Sequence, residues 1–183
     1  MLYYTLYRPR GRFGFDVKIV ADEEKLISLC LSGQTCFNGY ENAVLINSYD
    51  AQPIIRITVK YLNDYFSGKA PQTLPPLATD GLSRFALLIR EELLKIAYGK
   101  LTTYGAIAEK IAKKTGAKPC AQAVGQAVGK NPISLIVPCH RVIGSGGAIT
   151  GYNGGTDKKI ALLASESIKT DGKRVIDYEQ YLY

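Results

Sequence analysis

The sequence predicts an α/β amino-terminal domain followed by a mostly α-helical carboxy-terminal domain. The first 70 residues contain β-branched and aromatic runs and then a helical repeat of apolar residues. The proline-rich stretch 70–77 suits neither a helix nor a central strand, so the boundary is drawn there. Beyond it, apolar residues recur at helical spacing between glycine-rich loops. A chain of 183 residues can therefore hold two small domains, 1–79 and 80–183.

In the first domain, residues 2–7 and 15–20 are predicted strands, because β-branched and aromatic side chains dominate both runs. The intervening residues 8–12 have turn chemistry, which predicts a hairpin and a small antiparallel sheet. Residues 26–31 fit a third, more buried strand. Apolar residues at helical spacing then predict a helix over 54–66.

In the second domain, an amphipathic helix is predicted near 85–96. The threonine pair 102–103 can cap a helix over 104–112, since a threonine oxygen accepts from the free amides of a first turn. A basic turn over 113–118 and a second helix over 120–129 complete a predicted helix-turn-helix.

The second helix of this motif has an unusually bare surface. Gly125 and Gly129 each cost about 1 kcal/mol in helix propensity relative to alanine. A helix is normally about 10–12 Å across, whereas the minor groove of B-DNA is about 6 Å wide. A helix of alanine and glycine could enter that groove. The alternative is that small residues let the helix pack closely on a neighbour within the protein.

The net charge of +7 is unevenly distributed. Charges in residues 1–80 sum to zero, whereas those in residues 81–170 sum to +8. A cationic region favours a polyanionic partner, although lysines on a solvated face need no partner. The sequence shows neither a membrane-spanning run nor the plan of a signal peptide, which predicts an intracellular protein without membrane association.

The four cysteines are too few for a disulfide scaffold and form no CxxC pair. Cys30 and Cys36 could bridge a loop, although small apolar side chains are the simpler interpretation. No nearby histidine could complete a zinc site, so no metal is expected.

The candidate nucleophile is Cys139, which precedes His140, the only histidine of the chain. A histidine near a thiol favours the reactive thiolate. Adjacent side chains of an extended segment point to opposite faces, so a bridging water is the expected relay between the two. A histidine base also needs an acceptor for its other nitrogen. Glu166, at the end of an apolar helix, is a candidate for that acceptor.

These motifs resemble the O6-alkylguanine-DNA alkyltransferases, also called methylated-DNA–protein-cysteine methyltransferases. The resemblance covers residues 82–166 well and the end of the first half more loosely. It lies in the order and spacing of the motifs Thr103-Tyr104-Gly105, Ala123-Val124-Gly125, Asn131-Pro132, Pro138-Cys139-His140-Arg141-Val142, Gly151-Tyr152, Lys158-Lys159 and Leu162-Leu163 with Glu166.

The resemblance implies an RNase H-like first domain and a winged helix-turn-helix-like motif that enters the minor groove of double-stranded DNA. It also implies a monomer that rotates the damaged base into a pocket. The alkyl group of O6-alkylguanine, and of O4-alkylthymine, would pass irreversibly to Cys139. The thioether product has no good leaving group, so each molecule acts once, and no cofactor is needed.

The resemblance also implies a role for individual residues. Cys139 attacks the alkyl carbon, His140 takes the thiol proton through water, and Glu166 orients His140. The Tyr104 hydroxyl stabilises the departing guanine, and Asn131 ties the DNA-reading helix to the active-site loop. The remaining expected contacts are Val142, Tyr152 and Asn153 with the extruded base, and Lys118, Ala121, Gln122, Gly125 and Lys130 with DNA.

Two positions depart from the family pattern. The family usually has an arginine where this chain has Gln122, and that arginine fills the gap left by the extruded base. Glutamine has a shorter reach and no charge. The turn at 113–116 is longer and rich in lysine, which could supply compensating phosphate contacts. The expectation is weaker or differently placed DNA binding with unchanged chemistry.

Three alternatives remain open. A non-catalytic protein that binds alkylguanine as a lesion sensor would lack the reactive cysteine, so Cys139 opposes it and Gln122 favours it. A transcription regulator would use the helix-turn-helix and treat Cys139 as a structural thiol. A thiol hydrolase would bring its histidine from far along the chain, which His140 does not fit.

Overall fold

The computed structural model describes residues 1–11, 13–35 and 42–183. It divides into two compact units, Met1–Asp80 with Pro132–Ile136, and Gly81–Asn131 with Val137–Tyr183. No helix within the described ranges is long and apolar enough to cross a membrane.

The first unit is built on a four-stranded sheet. Its strands are β1 (Tyr3–Tyr7), β2 (Val17–Ala21), β3 (Leu26–Leu31) and β4 (Val44–Leu45), in the order β3-β2-β1-β4. The predicted hairpin and buried third strand are confirmed, since β2 pairs antiparallel with both β1 and β3. The prediction of a purely antiparallel sheet is wrong, because β4 pairs with β1 in parallel.

Helix α1 (Pro53–Phe66) confirms the helix predicted over 54–66. Its start is set by Gln52, whose side chain accepts a hydrogen bond from the Ile55 amide (2.7 Å), and by Pro53, which suits a first turn. The buried side chains of α1 recur at the spacing of an α-helix and form one face. The buried residues of the helix are Ile54, Ile55, Thr58, Val59, Tyr61, Leu62 and Tyr65.

Residues 132–136 belong to the first unit, although the predicted boundary placed them in the second. The Leu29 amide donates to the Pro132 carbonyl (2.9 Å), and the Ser134 amide donates to the Leu29 carbonyl (2.7 Å). This segment thus satisfies backbone groups along β3 that would otherwise be unpaired. Long-range strand pairing of this kind leaves no periodic signal in the sequence.

The second unit contains four α-helices and a short parallel pair of strands. These are α2 (Arg84–Leu94), β5 (Thr102–Thr103), α3 (Tyr104–Thr115), α4 (Ala121–Gly129), β6 (Val142–Ile143) and α5 (Thr156–Ser165). The predicted cap of α3 is confirmed, since Thr103 Oγ1 accepts from the Ala106 amide (3.0 Å).

Two predicted boundaries in this unit are wrong. Lys113 and Lys114 form the last turn of α3 and are not part of the connecting turn, because no helix breaker precedes Gly116. Gly116, with φ +73°, ends the helix in the left-handed conformation that glycine adopts easily. Cys120 is the N-cap of α4, whose first helical residue is Ala121.

Cys30 is a buried free thiol that lies 3.4 Å from the Ser28 hydroxyl oxygen. Cys36, its possible partner in a bridge, is outside the described residues.

Candidate active site

The β5–β6 pair brings two distant parts of the second unit together. Thr102 and Thr103 pair with Val142 and Ile143. Tyr104 follows β5 directly, and the turn that contains Cys139 directly precedes β6. The start of α3 and the candidate nucleophile are therefore held side by side by backbone hydrogen bonds.

Cys139 lies in a turn, so the expectation of an extended backbone at this position is wrong. Residues Cys139–Arg141 form a 3₁₀ turn, which the Arg141 amide closes by donating to the Pro138 carbonyl (3.0 Å). Pro138, with φ −80° and ψ 63°, bends the chain into it. Adjacent residues of a 3₁₀ turn point in different directions around its axis, about a third of a turn apart, so the two-faced geometry of a strand does not apply.

The Cys139 thiol is nearly buried, with 5% of the residue exposed. Asn131 Nδ2 donates to Cys139 Sγ (3.3 Å) and to the Val137 carbonyl oxygen (2.9 Å). Asn131 lies two residues beyond the end of α4. A single amide thus joins the end of α4 to the nucleophile and its preceding backbone.

His140 and Glu166 form a buried pair, with His140 Nε2 2.7 Å from Glu166 Oε1. Burial opposes ionisation of Glu166, but His140 and Arg141 outweigh it and lower the pKa of the carboxyl to about 2. An ionised carboxylate only accepts hydrogen bonds, so Nε2 carries the proton and Nδ1 is the basic nitrogen. Burial lowers the pKa of His140 despite the attraction of Glu166, which favours the neutral base.

Arg141, a residue without a predicted role, also binds Glu166. Its Nε donates to Glu166 Oε2 (2.9 Å), its Nη2 donates to Oε1 (3.0 Å), and its Nη1 donates to the Ile96 carbonyl (2.8 Å). The Gly99 amide also donates to Oε2 (2.9 Å). Glu166 is therefore held rigidly as a carboxylate. The available signal in the sequence was the position of a charged residue, Arg141, between His140 and the apolar residues of β6.

Lys159 is a second charged residue without a predicted role, and it is completely buried. Its Nζ donates to the carbonyls of Val142 (2.6 Å) and Thr150 (2.8 Å). Burial lowers the pKa of this amine to about 8, and the electrostatic interaction with Cys139 opposes that change. The side chain joins β6 to the loop that follows it.

Tyr104 reaches the same loop from α3. Its hydroxyl donates towards the carbonyls of Thr150 (3.3 Å) and Gly151 (3.5 Å). Burial, and then the interaction with Cys139, raises its pKa to about 12, so the hydroxyl remains protonated at neutral pH. Gly151 has φ +67°, and a Cβ there would lie 3.0 Å from the Tyr104 oxygen. Glycine permits this close approach.

The structure brings five predicted residues together: Cys139, His140, Glu166, Asn131 and Tyr104. Val142 is fully buried in β6, and its carbonyl is engaged by Lys159. Tyr152 is half-buried and Asn153 is exposed. The roles of these last three in base binding stay predictions.

The predicted DNA contacts are mostly on the surface. Lys118, Ala121, Gln122 and Lys130 are exposed, and Gly125 is half-buried beside the Tyr104 ring. A Cβ at Gly125 would make an ordinary 3.8 Å contact with that ring, and one at Gly129 would meet no atom of the described residues within 4 Å. Packing within the protein therefore does not require glycine at either position. This weakens the alternative explanation for the bare helix.

The buried amine of Lys159 predicts an unusual pH dependence of stability. Its pKa is about 8 in the folded protein, against about 10.4 in an unfolded chain. Between these values the unfolded chain binds the extra proton, so the contribution of Lys159 to folding free energy becomes more favourable as pH rises. We expect the urea midpoint of the wild type to rise relative to that of Lys159→Met between about pH 7.5 and about pH 9.5. Parallel midpoints across this range would contradict the assignment.

No group of three or more His, Cys, Asp or Glu side chains that could hold a metal ion occurs among residues 1–11, 13–35 and 42–183.

Comparison with known proteins identifies the family. Residues 84–168 match the family model for the 6-O-methylguanine DNA methyltransferase, DNA binding domain. A methylated-DNA–protein-cysteine methyltransferase of Mycolicibacterium paratuberculosis is 46% identical over 108 residues, which are 59% of this chain and 62% of the relative. The match thus spans less than two thirds of that relative. One from Haemophilus influenzae is 34% identical over 169 residues, 91% of this chain and 87% of the relative.

Solved structures agree. The crystal structure of Mycobacterium tuberculosis O6-methylguanine methyltransferase has a TM-score of 0.74 and 34% identity, over 91% of this chain and 93% of that chain. The Mycobacterium tuberculosis protein in complex with DNA has a TM-score of 0.75 and 34% identity, over 90% of this chain and 92% of that chain. With the small mixed sheet and helices described above, these matches show that the chain belongs to the methylated-DNA–protein-cysteine methyltransferase family.

Proposed function

We propose that this protein repairs DNA by transferring the alkyl group of O6-alkylguanine, and of O4-alkylthymine, irreversibly to Cys139. The observation that carries this proposal is the nearly buried thiol beside a neutral histidine whose other nitrogen is held by an ionised carboxylate. Such an arrangement activates a nucleophile without a metal or a cofactor. The names of the relatives, methylated-DNA–protein-cysteine methyltransferases, support the same chemistry.

In the proposed reaction, Cys139 Sγ forms a bond to the alkyl carbon as the bond from that carbon to guanine O6 breaks. The thiol proton passes through a water molecule to His140 Nδ1, the basic nitrogen. The protonated Tyr104 hydroxyl donates to the departing guanine, whose negative charge it stabilises. The thioether has no acidic proton and no good leaving group, so each molecule reacts once.

The base must leave the duplex for this reaction, because a nearly buried thiol cannot reach an atom inside a base stack. We assign this step to the carboxy-terminal domain, residues 80–183. Its α3 and α4 would act as a winged helix-turn-helix, with the bare face of α4 in the minor groove. The first domain, residues 1–79, would have an RNase H-like fold. The protein would act as a monomer on the DNA of the cell.

The deciding experiment incubates the protein with a duplex that contains one O6-methylguanine and then measures the intact mass and the peptide masses. We expect the mass of one methyl group to be added, on the peptide that contains Cys139. An unchanged mass with the duplex bound would support a lesion sensor instead. Equal affinity for damaged and undamaged duplexes, without transfer, would support a sequence-reading regulator.

Gln122 allows a separate test of how the extruded base is replaced. Gln122→Arg should tighten binding to the lesion duplex by about threefold to tenfold, because arginine has the longer reach and a charge. The matched control is Gln126→Arg, which adds the same charge on the same exposed helix one turn later. Both affinities are measured by titration at one salt concentration, with damaged and undamaged duplexes.

The control should strengthen binding to both duplexes alike, since added charge increases phosphate attraction regardless of damage. Gln122→Arg should strengthen binding to the damaged duplex more. Equal gains for the two variants on the two duplexes would show that position 122 does not occupy the gap left by the base.

A further inference from the structure

The loop that follows β6 is paired with the carboxy-terminal segment of the described chain. We call residues 144–151 the active-site loop and residues 169–183 the C-terminal strap. The Val175 amide donates to the Gly147 carbonyl (2.9 Å) within this pairing. The family model matches residues 84–168, so the strap lies beyond the matched region.

Further contacts extend the pairing on both sides of Val175. The Ile149 amide donates to the Lys173 carbonyl (2.8 Å). Arg174 Nη1 donates to the Gly146 carbonyl (3.0 Å). Three hydrogen bonds therefore anchor one edge of the active-site loop.

The sequence of the loop is adapted to this contact. Gly146 and Gly147 have φ values of +61° and +77°. A Cβ on Gly146 would lie 3.0 Å from Arg174 Nη1, and one on Gly147 would lie 2.9 Å from the Val175 carbonyl oxygen. A side chain at position 147 would therefore displace the strap from the loop.

The end of the same loop faces the candidate active site. The Thr150 carbonyl accepts from Lys159 Nζ (2.8 Å) and from the Tyr104 hydroxyl (3.3 Å). Both donors interact electrostatically with Cys139. The position of the Thr150 carbonyl therefore affects the placement of the Tyr104 hydroxyl, the group proposed to donate to the departing guanine.

The strap has a second anchor at Leu101, three residues before Tyr104. The Leu101 amide donates to the Tyr181 carbonyl (2.8 Å), and the Tyr183 amide donates to the Leu101 carbonyl (3.0 Å). Beneath the strap lies an apolar cluster that both anchors share. Its buried members are Leu101, Ile143, Ile149, Leu163, Ile168 and Val175.

We propose that the C-terminal strap positions the active-site loop and Tyr104 around the extruded base, with Arg174 as a positioning residue. This inference rests on the proposed function, since it concerns the same reaction. The strap bonds to the loop at Gly146, Gly147 and Ile149, so it acts through Thr150 and Tyr104 and not on Cys139 itself. It should therefore govern the rate of transfer from a bound base more than the reactivity of the thiol or the affinity for DNA.

The test uses two variants of the 183-residue chain, each with a matched control. Arg174→Ala removes the bond to Gly146, and Lys173→Ala removes the same charge while keeping its backbone bond to Ile149. Gly147→Ala forces a Cβ against the strap. Gly81→Ala imposes a similar strain, with φ +75°, at a position where a Cβ would lie within 4 Å of no atom in the described part of the chain.

Three quantities are measured for each variant. Single-turnover transfer from O6-methylguanine duplex at increasing DNA concentration gives the maximal rate and the apparent Kd. The rate of Cys139 carboxamidomethylation by iodoacetamide reports thiol reactivity, and thermal unfolding reports stability. We expect a maximal rate lower by about threefold for Arg174→Ala and by about tenfold or more for Gly147→Ala, because small misplacements slow reactions strongly. Apparent Kd and iodoacetamide rates should match the controls.

Maximal rates equal to those of the controls would overturn the proposal, whatever happens to thermal stability. A parallel loss of iodoacetamide reactivity would also overturn it, since the thiol itself would then be disturbed. Failure of the wild type to accept a methyl group would instead refute the proposed function, which the wild-type measurement reveals separately.

Discussion

Cys139→Ser is expected to abolish alkyl transfer while the protein still binds the methylated duplex. A serine hydroxyl at neutral pH is a much weaker nucleophile than a thiol with a histidine base, and oxygen preserves most of the shape of the site. The loss should exceed about 10³-fold in the single-turnover rate, which places it below detection in most assays. The rate is followed by release of unmethylated DNA and by protein mass.

Cys30→Ser is the matched control, because Cys30 is also a buried free cysteine and lies in the first unit. It should transfer methyl at the wild-type rate. Persistent methylation of Cys139→Ser would show that another residue is the acceptor. Loss of DNA binding together with transfer would mean that the thiol has a structural role, as the regulator alternative requires.

Glu166→Gln is expected to slow transfer by at least about 100-fold, since a positioned general base typically contributes about 10²–10⁴. Glutamine keeps an oxygen for Arg141 but loses the charge. Its amide can donate to His140 Nε2, which would leave the proton on Nδ1, the nitrogen that must accept the thiol proton. The wrong tautomer would then predominate.

His140→Gln should lower the rate by a similar factor, and the double variant should be little worse than either single one, because the two residues act as a unit. Glu109→Gln, which changes an exposed carboxylate of α3, is the control for charge. Thermal unfolding shows whether Glu166→Gln also disturbs the buried Arg141. Additive losses in the double variant would contradict the relay.

The pH profile of the wild type provides an independent measure of this relay. Burial lowers the pKa of His140, so the neutral base should persist at pH values below the usual range of imidazole. The transfer rate should therefore begin to fall only at a pH below that at which a solvent-exposed histidine becomes protonated. In Glu166→Gln the carboxylate that stabilises the protonated imidazole of His140 is absent. The residual transfer rate of this variant should therefore no longer decrease at acidic pH.

Much of this protein could be predicted from local patterns in the sequence. Hydrophobic periodicity located α1 and β3, and threonine chemistry located the cap of α3, because each depends on neighbours within a few residues. The unique histidine next to Cys139 indicated the nucleophile and its base. Glu166 could be selected because few acids occur in the basic half and this one ends an apolar helix.

Tertiary structure decided what depends on contacts between distant residues. Three features have no periodic signature: the parallel β4, the pairing of residues 132–136 with β3, and the burial of Arg141 against Glu166 and of Lys159 against backbone carbonyls. The contact of the strap with Gly147 likewise has no periodic signature in the sequence. The sequence by itself determined which reactive groups are available for the proposed chemistry, because chemistry resides in residue type. Only the folded chain decided their orientation, protonation and supports, because these follow from desolvation and hydrogen bonds that long-range packing creates.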